Sequence, residues 1–480
     1  MWILSKCESD FMNKGIVQMK NFDLEPTYEN IKKTLKDNII GRNEELYNFF
    51  SILDSIDGNM SIALDSGWGT GKTFFVKQIE TLLNYYYGLS KNKQDNELGN
   101  IIQQDDSLNK ITLNKIFIPI YYNAWLYDDH SDPILSLMYS IVKDNHIEYV
   151  TEIKSALSKN MEKIIKTFAI LKGINSDISN IIDWENADNL IDKIESLESI
   201  KSVLKDVFNQ IINEHADKLI IFIDELDRCN PKYAISVLER IKHFFQDDRI
   251  IFVYSTNKSQ LVHTIKKFYG NDFDASGYLN KFFDFSMKLG KVNMHDYAYT
   301  MNLINDDSEI FNIIAREMIN YYHFSMRECH RYLQIIKSSA ELVNFDRIRR
   351  VYVQHDGLCW IILFAPIVFA LRIYDIEKSE KFESGILFEE LENILKNNHN
   401  ISECFKSIIE SSEEATLTAK SSWELIVENI YGDIFRGTKT SQMVSDCGRK
   451  MLKDILEYKN VWWLNLYCGG TCFFLTFMVL

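Results

Sequence analysis

The sequence is poor in the two residues that most often interrupt regular structure. Its 480 residues include 5 prolines and 19 glycines, whereas average usage of about 5% and about 7% would give about 24 and about 34. This scarcity excludes a collagen repeat, a flexible linker array and a proline-rich disordered chain. Long helices are expected to dominate, because few residues are present to end them. The length predicts about two to four domains.

Metal-binding and disulfide patterns are also missing. The eight cysteines contain no C-x-x-C pair, and none of the ten histidines completes a zinc spacing. We therefore expect no zinc, and reduced thiols in a cytoplasmic setting. Near the N-terminus the apolar run Trp2-Ile3-Leu4 is too short for the core of a signal peptide.

Positive charge is in deficit. Lys and Arg total 53 against 68 Asp and Glu, so the formal net charge is −15. A field of this sign repels nucleic acid and anionic membranes at long range, so nucleic acid is not a favoured partner. The hydrophobic fraction of 46% is ordinary for a packed soluble protein.

The longest apolar stretches lie near the C-terminus. Residues 358–371 fall short of the about 20 residues that a membrane helix requires, and they predict a buried helix kinked at Pro366. Residues 461–480 are long enough to span, but Asn465, Gly469 and Gly470 argue against it. A buried or truncated tail would also explain an apolar end. Peripheral or C-terminal membrane association is therefore the less favoured alternative to a purely cytoplasmic location.

Apolar runs predict the strands of a parallel sheet. They lie at residues 60–65, 116–122, 219–224 and 249–256, with a fifth near 283–289. Helical patterns separate them, which is typical of a doubly wound α/β fold. Residues 92–109 are polar and predict a solvated surface insertion outside the sheet.

A glycine-rich turn connects the first predicted strand to a helix. Its sequence SGWGTGKT, residues 66–73, fits G-x-x-x-x-G-K-[ST] except that Ser66 replaces the first glycine. Glycines let successive amide groups surround a polyphosphate, and the helix N-terminus adds its positive dipole. Lys72 would neutralise the β- and γ-phosphates, and Thr73 would bind Mg²⁺. The candidate nucleotide-binding residues here are Gly67, Trp68, Gly69, Thr70, Gly71, Lys72 and Thr73. The alternative is a glycine-rich turn that binds nothing.

Two carboxylates follow the third predicted strand, at the sheet edge where open α/β folds bind ligands. Asp224 is placed to hold a water on Mg²⁺, and Glu225 to polarise the water that attacks the γ-phosphate. The alternative is a pair of solvated acids at a strand end. Pairing with Asp227 or Asp224 is one interpretation of the nearby Arg228, whose role the sequence leaves open.

Other polar and aromatic residues have two interpretations. Thr256 and Asn257 follow the fourth strand and would sense the γ-phosphate, or Asn257 would cap a helix. Arg327 and Arg331 lie four apart on one helical face and would stabilise transition-state charge, in the same or a neighbouring subunit. The alternative for both arginines is a surface salt-bridge face. Trp125 is expected in the core between sheet and helix.

These segments resemble the KAP family of P-loop NTPases. The resemblance rests on the loop at 66–73 with its tryptophan, on YNAW at 122–125 and on DELDRC at 224–229. YLNKFF at 278–283 and MRECHR at 326–331 are similar to the family's approach to the last strand and to its arginine-containing helical lid. The resemblance runs from about Gly41 to Leu333. GRNE at 41–44 resembles the segment that borders the adenine in related ATPases, so Arg42 is a candidate nucleotide contact.

The resemblance implies hydrolysis of ATP or GTP, with ATP the expected substrate and Mg²⁺ the cofactor, by a fold of the additional-strand, catalytic-glutamate type. Family members usually couple this reaction to conformational change or assembly, and many bacterial members are associated with exclusion of phage or plasmids. Residues Ser66, Glu225 and Asn257 differ from the family's frequent Gly, Asp and Asp. Residues 74–218 are too polar for the transmembrane helices that members often carry there.

The resulting domain prediction has four parts. A leader at 1–27 precedes a KAP-type NTPase domain at 28–300 with a helical insertion at 131–216. A helical lid at 301–345 and a helical C-terminal region at 346–480 follow.

The alternative function is a nucleotide-gated scaffold or switch with little turnover. A small-molecule kinase is the weakest interpretation, because no acceptor-pocket motif is visible. Besides the nucleotide, candidate partners are a second copy of the chain and an unidentified protein bound through the C-terminal helices.

Overall fold

The computed structural model describes residues 25–92, 95–129, 132–143, 205, 208, 209, 212, 216–244, 247–294, 297, 310–342, 356–411, 423–436, 462–468 and 471–477. Two compact units are present, one comprising Asp23–Lys291 and the other containing Val292–Leu480. Outside the described residues lie the predicted leader up to residue 24 and most of the predicted insertion at 131–216. In the later predicted regions, the residues outside are 301–309, 343–355, 412–422, 437–461, 469–470 and 478–480.

A parallel sheet organises the first unit. The strands that the structure describes in it are β1 (Met60–Asp65), β2 (Phe117–Asn123), β3 (Lys218–Asp224), β4 (Ile250–Thr256) and β5 (Phe285–Lys288). The order is β2-β3-β4-β1-β5, and all neighbours pair in parallel. The predicted parallel α/β sheet is therefore confirmed, and β4 separates β1 from β3.

Helices precede and follow the strands of this unit. They are α1 (Tyr28–Lys36), α2 (Asn43–Ser55), α3 (Lys72–Ser90), α4 (Asn96–Gln104), α5 (Pro133–Lys143), α6 (Pro231–Phe244), α7 (Lys258–Tyr269) and α8 (Ala275–Leu279). Short 3₁₀ turns lie at Leu108–Lys110, Ala124–Tyr127 and Leu226–Arg228.

The sheet centre is formed by the most apolar strands. Every residue of β3 and β4 is buried, which is expected for parallel strands covered on both faces. Their side chains join one core with residues of α5 and α6. This buried centre fixes the ends of β3 and β4, where the polar residues 224–225 and 256–257 lie.

The prediction of a solvated insertion at residues 92–109 is wrong. Helix α4 buries Leu98, Ile101 and Ile102, which recur at helical spacing within the polar sequence. Asp95 caps its N-terminus by accepting from the backbone N–H groups of Glu97 and Leu98. The segment does lie outside the sheet, as expected.

The second unit consists mostly of helices. They are α9 (Ile310–Tyr321), α10 (Met326–Leu342), α11 (Asp356–Tyr374), α12 (Ile376–Glu383), α13 (Phe388–Asn397), α14 (His399–Ser411) and α15 (Trp423–Tyr431), followed by a π-helical turn at Gly432–Arg436. In α11, residues 363–371 are buried around Pro366, so the expected buried helix is confirmed. Among the described residues, none of the helices combines the length and the apolar character that crossing a membrane requires.

The expectation of a purely helical C-terminal region is wrong at its end. Strands β6 (Trp462–Cys468) and β7 (Thr471–Phe477) pair antiparallel. Six of their fourteen residues are aromatic, and aromatic residues favour strands. Gly469-Gly470 separates them, and a two-residue glycine link is typical of a hairpin. Local sequence therefore favours strands over the helix that length and hydrophobicity alone suggested.

Candidate functional site

The loop between β1 and α3 has the backbone shape that its glycines permit. Gly69 and Gly71 have φ values of 74° and 86°, in the left-handed region that glycine adopts without a steric penalty. Ser66 is not among the described residues with positive φ, so a serine fits at the first position of the motif. Its hydroxyl donates to Thr70 Oγ1 at 2.7 Å, and the Thr70 hydroxyl donates to the Gly67 carbonyl at 2.8 Å.

Lys72 begins α3 and folds back over this loop. Its Nζ donates to the carbonyl oxygens of Ser66 and Gly67 at 2.7 and 3.0 Å. Burial lowers the pKa of Lys72, and the nearby Asp227 and Asp224 carboxylates oppose that shift. Among the described residues no side chain caps the N-terminus of α3. The first N–H groups of the helix are therefore available to an anion.

Thr73 contacts the acid at the end of β3. Its hydroxyl donates to Asp224 Oδ2 at 2.9 Å, although the two residues are 151 positions apart. Asp224 Oδ1 accepts the backbone N–H of Glu225 at 2.9 Å. The loop and the acidic strand end thus meet at the same edge of the sheet, which is the convergence that the sequence predicts.

Tyr121 is a member of this cluster that sequence reasoning missed. Its hydroxyl also donates to Asp224 Oδ2, at 2.9 Å, and burial together with that carboxylate raises the pKa of Tyr121 well above its ordinary value. Strands β2 and β3 pair with Asn123 beside Asp224, and side chains two apart on a strand share a face. That alternation is the signal that could have identified Tyr121 once the strand pairing was known.

Glu225 is held by a neighbouring arginine. It has a φ of 60°, which is unusual for a residue other than glycine, and its Oε2 lies 2.5 Å from Nε of Arg228. The partner of Arg228, which the sequence left open, is thus Glu225 and not Asp227 or Asp224, because the 3₁₀ turn at Leu226–Arg228 places positions 225 and 228 side by side. Burial, and then the Asp224 charge, raise the pKa of Glu225 above that of an ordinary glutamate.

Asp227 connects the loop to the acidic turn, and sequence reasoning gave it no such role. The indole N–H of Trp68 donates to Asp227 Oδ2 at 2.6 Å. The Thr256 hydroxyl donates to Asp227 Oδ1 at 3.4 Å. The tip of the loop, the turn after β3 and the end of β4 are thus joined through one carboxylate.

The expectation that Trp125 fills the core is wrong. Its side chain is 49% exposed, and the Arg228 guanidinium lies over its ring, with Cζ 5.4 Å from the ring centre. Asn123 accepts hydrogen bonds from the backbone N–H groups of Trp125 and Leu126, so the chain turns into a 3₁₀ helix directly after β2. This turn accompanies the exposed position of the Trp125 side chain. Trp125 and Arg228 therefore border the site beside Glu225.

Arg42 lies near the loop at the edge of β1. Leu289, after β5, donates its N–H to the Asp65 carbonyl at the end of β1, and Arg42 Nη2 donates to the adjacent Gly290 carbonyl at 2.9 Å. Burial lowers the pKa of Arg42. Its buried Nη1 has no hydrogen-bond partner among the described residues, so a donor is available there.

The remaining candidates have different settings. Asn257 caps α7 by accepting from the Gln260 N–H at 3.3 Å, which is the alternative that the sequence left open. Arg327 and Arg331 belong to the second unit and are exposed on one face of α10. Roles for these three residues in nucleotide chemistry stay predictions.

The donor set suits a small hard cation. Thr73 and Asp224 offer hydroxyl and carboxylate oxygens, which are the ligands that Mg²⁺ prefers. Within the described residues, no group of three or more His, Cys, Asp or Glu side chains could hold a metal by itself. An Mg²⁺ here would therefore need further oxygen ligands from water or phosphate, as is usual for this ion.

Comparison with known proteins agrees with this geometry. The family model described as the KAP family P-loop domain matches residues 42–342. A search of curated proteins finds no match to the chain.

Proposed function

The chain belongs to the KAP family of P-loop NTPases, and from that premise we propose that it binds Mg²⁺–ATP and hydrolyses it. The observation that carries the proposal is the 2.9 Å hydrogen bond between Thr73 and Asp224. It joins the glycine-rich loop to the acidic strand end without any intervening residue. A site that binds phosphate and Mg²⁺ together requires this proximity.

The proposed roles follow from the contacts of each residue. Thr73 and Asp224 would hold Mg²⁺, which supplies positive charge for the phosphate oxygens. Lys72 now donates to two carbonyl groups of its own loop, and we expect it to donate to the β- and γ-phosphates instead when a nucleotide is present. The backbone of residues 67–71 and the N-terminus of α3 would surround the phosphates.

Glu225 is proposed as the general base. Its raised pKa makes the ionised side chain a stronger base than that of an ordinary glutamate. A carboxylate in this state can orient a water and accept its proton. The position directly after Asp224 places the base beside the proposed cation ligand.

The strand order supports assignment to the additional-strand, catalytic-glutamate type. In this sheet β4 lies between β1, which leads to the loop, and β3, which leads to the acids. We further propose that α9 and α10, which fall within the matched stretch, belong to the helical lid predicted at 301–345. Arg42 is proposed to contact the base, with ATP favoured over GTP by the resemblance alone.

Binding and turnover assays of three variants test the proposal. Lys72→Ala should weaken nucleotide binding at least about tenfold, because a charge-assisted contact to phosphate is lost. Glu225→Gln should bind nucleotide as the wild type does but hydrolyse it at least about a hundredfold more slowly. Lys91→Ala, at the opposite end of α3, is the control and should behave as the wild type. Wild-type turnover no faster than that of Lys72→Ala and Glu225→Gln would reject catalysis.

One observation favours the second candidate, a nucleotide-gated switch with little turnover. The 2.5 Å ion pair with Arg228 occupies an oxygen of Glu225 that a base would need. If this pair restrains turnover, Arg228→Met should raise the basal hydrolysis rate. Nucleotide binding should then change the oligomer mass of the wild type although its turnover is slow. A lower rate in Arg228→Met, together with an unchanged mass in light scattering, would favour the hydrolase.

The biological role is proposed from the family alone. Coupling of nucleotide state to a partner through the second unit, in defence against phage or plasmids, is the setting that the resemblance suggests. Deletion of the gene should then raise phage or plasmid acceptance, and unchanged acceptance would remove this role without affecting the hydrolysis proposal.

A further inference from the structure

We propose that Tyr121 is a positioning residue for the divalent cation, which it serves by fixing the Asp224 carboxylate. The inference rests on the proposed function, because it assigns a residue to the same cation site. Tyr121 lies 48 positions after Thr73 and 103 before Asp224, so nothing in the loop motif or the acidic motif identifies it. Its place beside both follows from the pairing of β2 with β3.

The hydrogen bonds around Asp224 carry the argument. Oδ2 accepts from both the Tyr121 and the Thr73 hydroxyl groups at 2.9 Å, and Oδ1 accepts from the Glu225 N–H. An ionised carboxylate has about four lone-pair positions, so three donors leave about one for a metal-bound water. Loss of the Tyr121 donor would leave the Thr73 hydroxyl as the one described donor to Oδ2, so the carboxylate could rotate more easily.

The ring of Tyr121 is itself held in place. Lys77, one turn into α3, lies with Nζ 3.3 Å from the ring centre, and it pairs with Glu80 at 2.8 Å. The backbone of Tyr121 is fixed beside Phe222 in the sheet. The strand and the Lys77 ammonium group thus restrict the ring of Tyr121. Because the position of its hydroxyl group varies little, that group can fix the orientation of the Asp224 carboxylate.

The size of the effect follows from comparable metal sites. Groups that orient a metal ligand typically change metal affinity by about 10- to 100-fold when they are removed. We therefore expect Tyr121→Phe to raise the Mg²⁺ concentration for half-maximal nucleotide binding by about tenfold or more. Binding without Mg²⁺ should not change, because the hydroxyl contacts Asp224 and not the phosphate loop.

Tyr122→Phe provides a matched control. Tyr122 is the next residue, is buried, and its hydroxyl bonds to the Tyr233 hydroxyl at 2.5 Å instead of to Asp224. Both variants lose one hydroxyl and keep the ring, so both are expected to fold, and circular dichroism of the full-length chains checks this. Only Tyr121→Phe is expected to change the Mg²⁺ requirement.

The experiment titrates Mg²⁺ against binding of a fluorescent ATP analogue to the full-length wild type, Tyr121→Phe and Tyr122→Phe. A rise confined to Tyr121→Phe supports the inference. An unchanged or lower Mg²⁺ requirement in Tyr121→Phe, an equal rise in both variants, or an unfolded Tyr121→Phe beside a folded Tyr122→Phe overturns it. A wild type that binds the analogue without any Mg²⁺ dependence overturns the inference and the cation site together. A wild type that binds with Mg²⁺ but does not turn over rejects only the hydrolysis.

Discussion

Asp227 receives hydrogen bonds from two elements that sequence reasoning treated separately. Trp68 reaches it from the loop and Thr256 from β4. Because Trp68 is 50% exposed, water can compete for its indole N–H. The hydrogen bond to Asp227 therefore contributes more to the position of the loop than to the free energy of unfolding. Any rearrangement of the loop around phosphate is therefore expected to change the surroundings of the indole.

Intrinsic fluorescence can test this coupling. Addition of Mg²⁺–ATP should change the tryptophan emission of the wild type, and Trp68→Phe should remove most of that change because Trp68 is the tryptophan in the loop. Trp125→Phe is the matched control, since Trp125 is equally exposed but has no described bond to Asp227. A nucleotide response that survives in Trp68→Phe and is lost in Trp125→Phe would contradict this interpretation.

The individual site residues were predictable from sequence only where a motif names them. Lys72, Thr73 and Asp224 follow from the spacing of glycines and from an apolar strand that ends in acid. Tyr121 could not be found in this way, because its role depends on which strand lies beside β3. The pairing of Arg228 with Glu225 depends on a 3₁₀ turn that the sequence did not indicate.

The loop between β1 and α3 depends on two of its glycines for shape. Gly71 has a φ of 86° and precedes the helix. Gly67 is not among the described glycines with positive φ, and a Cβ there would approach only Thr70 Cγ2, at 3.8 Å. A methyl group should therefore be tolerated at position 67 and strained at position 71.

Unfolding in urea measures that difference. Gly71→Ala should lower the free energy of unfolding by about 1–2 kcal/mol, because an L-residue is forced into the left-handed region. Gly67→Ala should leave it unchanged or raise it by up to about 1 kcal/mol, since it restricts the unfolded chain. Equal losses in both variants would show that the space around the loop, and not its dihedral angles, requires glycine.

Strands were easier to predict than polar helices. The central strands are continuous apolar runs, and burial on both faces leaves few alternatives for such sequences. Helix α4 is hard to predict because its buried residues Leu98, Ile101 and Ile102 stand among polar ones, so the polar composition of the segment conceals their helical spacing. At the C-terminus, strand propensity and the Gly469-Gly470 link outweighed the apolar length that suggested a helix.

The arrangement of the first unit brings together residues that are distant along the chain. Strand β4 lies between β1 and β3, yet Thr73 on α3 still reaches Asp224 across it. The sequence predicted a parallel sheet but not this order, because apolar runs carry no information about which strand pairs with which. The family match extends beyond this unit, to residue 342.

The central claim is that Thr73 and Asp224 serve one divalent cation, and a double-mutant cycle tests it most directly. The measured quantity is the Mg²⁺ concentration for half-maximal nucleotide binding in the wild type, Thr73→Ala, Asp224→Asn and the double variant. Residues that act on one ion should show non-additive effects. We predict that the double variant needs no more than about twice the Mg²⁺ of the worse single variant. Fold-changes that multiply across the cycle would mean that the two residues act independently, and would contradict the account.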